Sequence, residues 1–191
     1  MIGNDIVDLR LAKVQSNWRR KRFLEKVFSS NEQAMILRSE EPDIIVWRLW
    51  SMKESAYKAH LRIQKRIQIN PRSFDCQFLS EYKGIVICDG QLYHTLTEMK
   101  NNYLHTLAYK KDFSADLFSK VIDLEQNQFS SSELYNKMVL SVAGRMGWEK
   151  EGTMIEKNYL GIPELYRFGK KSSVLCSLSH HGRYGSYLTG T

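Results

Sequence analysis

The chain has 191 residues and a net charge of +7, and its 42% apolar and 12% aromatic content excludes a disordered polymer. It has no eighteen-residue apolar run, which argues against a membrane span, and the acids near its N-terminus argue against a secretory signal. Its three cysteines form no CxxC pair, which indicates reduced thiols in a cytoplasmic protein. The positive charge favours anionic partners: nucleic acid, phosphorylated cofactors or an acidic protein.

The N-terminal third is predicted to be mainly helical after one strand. Residues 2–9 are β-branched and apolar, which predicts a short strand. Residues 16–28 carry a helical pattern. Ser29-x-x-Glu32 has the form of a capping box, and it predicts a further helix that runs to about Leu37.

A long helix is predicted over roughly residues 43–62. Its apolar residues recur at alternating spacings of four and three, which is typical of a buried stripe. Glu54 and Lys58 lie four residues apart and project together from a different face, near Trp47 and Trp50. Such a pair could hold a divalent cation and a phosphate, or it could be a solvated salt bridge. The stripe consists of Ile45, Leu49, Met52, Ala56 and Ala59.

The rest of the chain is predicted to be short strands around one more helix. Residues 112–132 are polar and form the candidate linker or cap region, and residues 132–146 predict a helix that ends at Gly147. Two successive blocks of helix followed by strands suggest a duplicated α+β architecture. The predicted strands are FDCQFL, GIVICDG, QLYHTLT, YLHTLAYK, TMIEKN, ELYRF and SVLCSLSHHGRYGSYLTG.

The densest basic cluster lies within the predicted helix over residues 16–28. Trp18 and Phe23 flank the cluster, so an apolar face is expected beneath the charge. The cluster is either a solvated helix face, a docking surface for an acidic helix, or a nucleic-acid groove. Its members are Arg19, Arg20, Lys21 and Arg22.

Three segments together resemble the 4′-phosphopantetheinyl transferase superfamily. The fold that this resemblance implies is α+β, with two similar helix-plus-antiparallel-sheet halves related by a pseudo-two-fold. We place the halves at residues 1–112 and 113–191, together forming one globular unit. The three segments are the strand Gly3-x-Asp5, the helix Trp50-x-x-Lys53-Glu54-x-x-x-Lys58 and the strand Ser177-x-Ser179-His180.

The resemblance implies an activity of the holo-acyl-carrier-protein synthase type, as in fatty-acid biosynthesis. In this reaction the 4′-phosphopantetheine arm of coenzyme A passes to a serine of an acidic apo acyl or peptidyl carrier protein, and adenosine 3′,5′-bisphosphate is released. Asp5 and Glu54 would bind Mg²⁺, a hard cation that takes carboxylate and phosphate oxygens. Lys58 would bind a phosphate oxygen, and with the two acids it forms the implied catalytic set.

The resemblance also implies contacts to the two substrates. Ser179 and His180 would contact the phosphates of coenzyme A from the far side of the cleft. Lys53 either binds a phosphate or pairs with a neighbouring acid. Asp8 matches an acidic position of the family, or else caps a helix. The residues predicted to dock the carrier protein are Arg10, Arg19, Arg20 and Arg22.

The chain departs from the pattern of the larger monomeric members at one position, because Val7 stands where they carry a second acid. Its Ser-His strand comes last, as it does in the small members that assemble their site between subunits. Since this chain is longer than those small enzymes, we expect its two halves to fold back on each other as a monomer. A trimer is the alternative.

Two other functions remain open. A catalytically inactive relative could bind coenzyme A or a carrier protein, although Asp5, Glu54 and Lys58 are all present. A nucleic-acid-binding protein would suit the positive charge. The chain carries no clear helix-turn-helix, zinc or RNA-recognition signature, so nucleic acid is the less favoured partner.

Overall fold

The computed structural model describes residues 1–67, 70–111, 116–124 and 131–191. The fold is α+β, with two five-stranded antiparallel sheets. The first half contains β1 (Ile2–Asp8), α1 (Leu9–Gln15), α2 (Phe23–Val27), α3 (Ser30–Arg38), α4 (Pro42–Gln64), β2 (Asp75–Phe78), β3 (Lys83–Cys88), β4 (Gln91–Lys100) and β5 (Tyr103–Tyr109). The second half contains β6 (Phe118–Asp123), α5 (Ser131–Met146), β7 (Thr153–Lys157), β8 (Pro163–Arg167), β9 (Lys170–His181) and β10 (Tyr184–Gly190).

The two sheets have the same topology, which confirms the predicted duplication. The strand order is β1-β5-β4-β3-β2 in one sheet and β6-β10-β9-β8-β7 in the other. In each half the first strand pairs with the last, and helix precedes the remaining strands. Each half also has its own apolar core, one built on α4 and the other on α5.

The strand registers reveal a short sequence repeat that the sequence analysis missed. Asp8 pairs with Tyr103 in the first sheet, and Asp123 pairs with Tyr184 in the second. This aligns Ile-Val-Asp-Leu at residues 6–9 with Val-Ile-Asp-Leu at residues 121–124. The two equivalent tyrosine rings touch, with centroids 4.9 Å apart, so the pseudo-two-fold axis passes close to them.

The prediction of one helix over residues 16–28 was wrong in part, because only Phe23–Val27 of that range is helical. The Asp8 carboxylate accepts hydrogen bonds from the N–H groups of Arg10 and Leu11, so a helix begins at once after β1 and ends at Gln15. A second, five-residue helix starts only after Arg22, which adopts a left-handed conformation with φ of 66°. Backbone in that region cannot continue a helix.

The predicted linker over residues 112–132 was also wrong in part. Residues 118–123 form β6, which pairs with β10 along its length. Residues 112–115 and 125–130 lie outside the described part of the chain, and so does the predicted boundary between the halves at residue 112, which stays a prediction. None of the helices in the described ranges has the length and apolar character that a membrane span requires.

Other predicted elements are confirmed. The capping box at Ser29 has both of its hydrogen bonds, including one of 2.7 Å from the Ser29 N–H to the Glu32 carboxylate. Helix α4 covers residues 42–64, with Pro42 in its first turn. Its predicted stripe packs into the core, where Leu49, Met52, Ala56 and Ala59 have no exposed surface.

Strand β1 lies directly against α4, and Gly3 allows this close approach. A methyl group added at Gly3 would lie 2.1 Å from the carbonyl oxygen of Ser55 and 2.7 Å from the amide nitrogen of Ala59. Both are backbone atoms of the helix and cannot turn away. The glycine of the Gly-x-Asp motif is therefore a packing requirement, and it brings β1 within reach of Lys58.

The outer edge of β1 is covered by side chains of β9. Strand β1 pairs with β5 on one edge only, so alternate N–H groups on its other edge need partners. Three alternate residues of β9 supply them. The pairs are Asn4 N with Ser177 Oγ at 3.1 Å, Ile6 N with Ser179 Oγ at 3.3 Å, and Asp8 N with His181 Nδ1 at 2.9 Å.

We expect Gly3→Ala to lower the free energy of unfolding by about 3 kcal/mol, the upper end for overpacking, because the new methyl group meets helix backbone. Urea denaturation followed by circular dichroism measures this. Gly144→Ala is the matched control, since Gly144 lies in α5 with open space around it and alanine should stabilise that helix by about 1 kcal/mol. Equal stability of the Gly3 variant and the wild type would contradict the proposed packing.

Candidate functional site

Asp5 lies at the middle of β1, between the two halves. It is buried, and its Oδ1 accepts a hydrogen bond of 2.9 Å from Ser179 on β9. The same oxygen lies 3.2 Å from the Lys58 ammonium of α4, which also donates to the Asn4 carbonyl at 2.8 Å. The structure therefore brings three predicted site residues together from three separate elements.

Glu54 lies one turn before Lys58 on α4 and lines a cleft with Asp5. Burial, and after it the negative charge of Asp5, raise the pKa of Glu54 from 4.5 to about 7, against the opposing effect of Lys58. The carboxyl groups of Asp5 and Glu54 thus face one cleft. Lys58 forms an ion pair with Asp5, and its effect on Glu54 is smaller than the effects of burial and of Asp5. A site of this kind suits a positively charged ligand.

The donor set matches a hard divalent cation. Asp5 and Glu54 offer carboxylate oxygens, which Mg²⁺ prefers, and a bound cation would offset the burial and the repulsion by Asp5 that raise the Glu54 pKa. Val7 lines the same cleft and offers no ligand atom. Phosphate oxygens and water would have to complete the shell, as is usual for Mg²⁺.

The cleft has two adjoining parts that share Asp5 and His180. One part, of about 460 Å³, is walled by aromatic residues and contains Glu54. The other, of about 330 Å³, carries the cations Lys58 and Lys157 beside Tyr135. The aromatic residues of the first part are Trp18, Phe23, Trp47 and Trp50.

The structure places Ser179 and His180 differently within the cleft. The Ser179 hydroxyl donates a hydrogen bond to Asp5 and accepts one from the Ile6 N–H. A phosphate would have to replace one of these two partners to bind Ser179. His180 is more exposed and lines both parts of the cleft. Its pKa is lowered, first by partial burial and then by Lys58 and other positive neighbours.

The interpretation of Lys53 as a phosphate-binding residue was wrong. Its ammonium is buried 2.8 Å from the Glu32 carboxylate and also donates to the carbonyl groups of Pro71 and Phe74. Lys53 therefore pairs with a neighbouring acid, the alternative that the sequence left open. Glu32 in turn does more than cap α3. Its Oε2 makes the cap, while its Oε1, the oxygen paired with Lys53, also accepts a hydrogen bond from the Cys76 N–H at 2.9 Å.

Several residues near the site were missed or given too small a role. His181 bonds β1 through its Nδ1, and Lys157 and Tyr135 line the cationic part of the cleft. Asp8 caps α1 and also accepts from the Arg183 N–H at 3.2 Å. The alternation of Ser177, Ser179 and His181 along one strand was the available signal.

The arginines predicted to dock a carrier protein differ in their surroundings. Arg19 makes two hydrogen bonds to Asp43 and lies over the Trp18 ring. Arg20 lies at the aromatic part of the cleft. Arg10 and Arg22 are exposed, and the cleft lining does not include them. Among the four, Arg20 is the one placed to meet a ligand of the cleft.

Comparison with known proteins identifies the class of protein to which this fold and site belong. A family model described as the 4′-phosphopantetheinyl transferase superfamily matches residues 1–112, more than half of the chain. The chain therefore belongs to this superfamily of phosphopantetheinyl transferases, which use coenzyme A and act on carrier proteins. No curated protein matches the chain. The matched segment contains Asp5, Glu54 and Lys58, whereas Ser179 and His180 lie beyond it.

Ionisation of Glu54 should destabilise the fold as pH rises. The folded protein holds this proton more tightly than the unfolded chain, so the cost appears as pH rises from 4.5 to about 7, and at about 1.4 kcal/mol per unit it reaches roughly 3 kcal/mol. Glu54→Gln should therefore raise the free energy of unfolding by up to about 3 kcal/mol at pH 8 and leave it nearly unchanged at pH 4. Urea denaturation at both pH values measures the difference.

Glu133→Gln is the control for this experiment, because Glu133 forms an exposed pair with Lys137 on α5. It should change stability by less than about 0.5 kcal/mol at either pH. A change in stability that is the same at both pH values would show that the pKa of Glu54 is equal in the folded and unfolded protein, and would contradict the prediction. Millimolar Mg²⁺ at pH 8 should raise the melting temperature of the wild type and not that of Glu54→Gln.

Proposed function

We propose that this protein transfers the 4′-phosphopantetheine arm of coenzyme A to a serine of an apo acyl or peptidyl carrier protein in a Mg²⁺-dependent reaction. The convergence of Asp5, Glu54 and Lys58 on one cleft supports this proposal. The serine hydroxyl oxygen forms a bond to the phosphorus that carries pantetheine. The bond from that phosphorus to the leaving phosphate breaks, and adenosine 3′,5′-bisphosphate departs.

Asp5 and Glu54 are the residues that would hold the metal ion. When bound, Mg²⁺ supplies positive charge to the diphosphate of coenzyme A and so assists attack by a neutral hydroxyl. Ser179 fixes the Asp5 carboxylate through its 2.9 Å hydrogen bond. Preorganisation of this kind lowers the cost of assembling the site around its ligands.

The cationic part of the cleft is the proposed site for the phosphates of coenzyme A. Lys58 and Lys157 line it from opposite halves, and His180 stands between the two parts. Lys58 is suited to stabilise the charge that develops on the leaving phosphate. For that it would exchange its 3.2 Å contact with Asp5 for a phosphate oxygen.

Glu54 is the residue suited to accept the serine proton. Its carboxylate lines the cleft together with Asp5, so a hydroxyl that reaches the bound diphosphate would also come close to it. It also lines the aromatic part of the cleft, whereas the phosphates are proposed to lie in the cationic part with Lys157. The serine would therefore approach from the aromatic part, opposite to the bound phosphates.

We propose that one chain forms one complete site, as a monomer. The cleft draws Asp5 and Glu54 from the first half and His180 from the second. The strand registers make Lys120 the counterpart of Asp5 in the second half, so the pseudo-symmetric position has lost its acid. The alternative, a trimer with its site between subunits, would give three times the monomer mass in light scattering.

The setting of the protein is also a proposal. All three cysteines are free and buried, which suits a reducing cytoplasm. The proposed substrates include the carrier protein of fatty-acid biosynthesis, as for holo-acyl-carrier-protein synthases, and the carrier proteins of peptide or polyketide synthesis. The inactive binding relative is less favoured because both acids and Lys58 are intact, and nucleic acid is less favoured because the aromatic residues line a cleft with two carboxylates.

Incubation with coenzyme A, Mg²⁺ and several apo carrier proteins tests the proposal. Mass spectrometry should show the mass of one phosphopantetheine arm added to a carrier protein. Glu54→Gln should reduce the rate by about 100-fold or more, because it removes both a metal ligand and the proton acceptor. Glu133→Gln should retain the wild-type rate. Absence of product with every carrier, despite binding of coenzyme A, would instead favour the inactive relative.

Arg20 should contribute to carrier-protein recognition. Arg20→Glu places a negative charge at the aromatic part of the cleft, so it should raise the KM for an acidic carrier protein about tenfold at low salt and leave the KM for coenzyme A unchanged. Arg38→Glu is the matched control, because Arg38 is exposed on α3 beside a different depression. Equal changes in both KM values for Arg20→Glu would rule out selective docking.

A further inference from the structure

A second group of metal-ligating side chains lies on the opposite side of α4 from Lys58. His60 is two residues beyond Lys58 and faces the β3–β4 hairpin. Its Nε2 lies 3.4 Å from a carboxylate oxygen of Asp89 and 4.0 Å from the Cys88 sulfur. All three ligand atoms lie within 4.8 Å of one another. None of the three lines the cleft that contains Asp5 and Glu54.

The imidazole of His60 is held in one orientation. Its Nδ1 forms a 2.8 Å hydrogen bond with the Tyr93 hydroxyl, and its ring packs edge-on against Phe74 and Tyr93. When Nδ1 donates this bond, Nε2 presents its lone pair toward Cys88 and Asp89. Metal-binding histidines are commonly fixed in this way by a partner on the second ring nitrogen.

The hairpin fixes the other two ligands. Cys88 and Gln91 pair at the end of β3 and β4, so Asp89 and Gly90 form a two-residue turn. Both have positive φ, of 47° and 70°, as a type I′ turn requires. The turn keeps Cys88 buried in the core while about half of the Asp89 side chain stays exposed. A metal ion could enter from the Asp89 side.

We propose that His60, Cys88 and Asp89 form a binding site for a borderline-soft divalent cation such as Zn²⁺, separate from the catalytic metal site. One nitrogen, one sulfur and one carboxylate oxygen are ligands typical of Zn²⁺. Bond lengths of about 2.0–2.3 Å in a tetrahedral site place ligand atoms roughly 3.5 Å apart, and the distances from His60 Nε2 to Asp89 and Cys88 are 3.4 Å and 4.0 Å. A water molecule would take the fourth position.

Ligand chemistry separates the two sites. Mg²⁺ binds hard oxygen ligands and has little affinity for a thiolate or an imidazole, whereas Zn²⁺ accepts both. The Zn²⁺ site would tie the C-terminal end of α4 to the β3–β4 hairpin. Since α4 also carries Glu54 and Lys58, the tie would brace the catalytic helix from its other side without touching the substrates.

Titration of the full-length, metal-stripped protein with Co²⁺ tests the proposal. With millimolar Mg²⁺ present to occupy the catalytic carboxylates, we expect one equivalent to bind, with a thiolate-to-cobalt charge-transfer band and the visible bands of a tetrahedral ion. Zn²⁺ should displace the ion, and millimolar Mg²⁺ should not. No saturable binding, or binding without the thiolate band, would overturn the assignment and leave His60 and Asp89 as neighbours without a metal ion.

Variants locate the site. Cys88→Ser should abolish the thiolate band, whereas Cys176→Ser, the same change at a buried cysteine of the second half, should keep it. Asp89→Asn alters a half-exposed turn residue that should not prevent folding, and it should weaken Co²⁺ binding at least tenfold. Retention of the thiolate band by Cys88→Ser, or of full affinity by Asp89→Asn, would refute the site.

The two metal sites should respond independently. Glu54→Gln should lose phosphopantetheine transfer and keep the Co²⁺ spectrum, while Asp89→Asn should lose tight Co²⁺ binding and keep Mg²⁺-dependent transfer. A Co²⁺ spectrum lost in Glu54→Gln would place the ion at the catalytic carboxylates and overturn the proposal. Because the spectrum is read without any substrate, failure of the proposed transfer activity would leave this test intact.

Discussion

Strand β1 has three backbone N–H groups on its outer edge that pair with no strand backbone, and the rest of the site depends on how these groups are hydrogen-bonded. Side chains of β9 accept the three hydrogen bonds, from Asn4, Ile6 and Asp8. A buried N–H group without a partner costs about 1–3 kcal/mol. The seam between the two halves is therefore held in register by directional bonds, and this register brings β9 to Asp5.

The contacts between the two halves also hold two acidic side chains close together, which costs electrostatic free energy. Asp5 is anchored by Ser179 and Lys58, so it stays in place beside Glu54 even though the two acids repel each other. Burial and this repulsion together raise the pKa of Glu54. Folded proteins tolerate such local costs at sites that bind a charged ligand, because ligand binding removes them.

The short motifs predicted the site better than the secondary-structure patterns predicted its surroundings. Glu54 and Lys58 lie on one face of a strongly periodic helix, so their placement needed only local geometry. Of the helix predicted over residues 16–28 only Phe23–Val27 forms, because Arg22 has a left-handed backbone conformation. Lys53 failed for a different reason: its partner Glu32 lies on another helix, and the sequence contains nothing that joins the two.

The sequence by itself determined the duplicated α+β plan and the buried stripe of α4, because these follow from local periodicity. Its motifs also predicted Asp5 and Glu54 as metal ligands, through their resemblance to a known family. Only the tertiary structure decided that Ser179 holds Asp5, that His181 bonds β1, and that Lys157 joins the cationic part of the cleft. Those contacts cross between residues far apart in the chain. They depend on how two sheets are placed against each other, and hydrophobic pattern alone does not encode that placement.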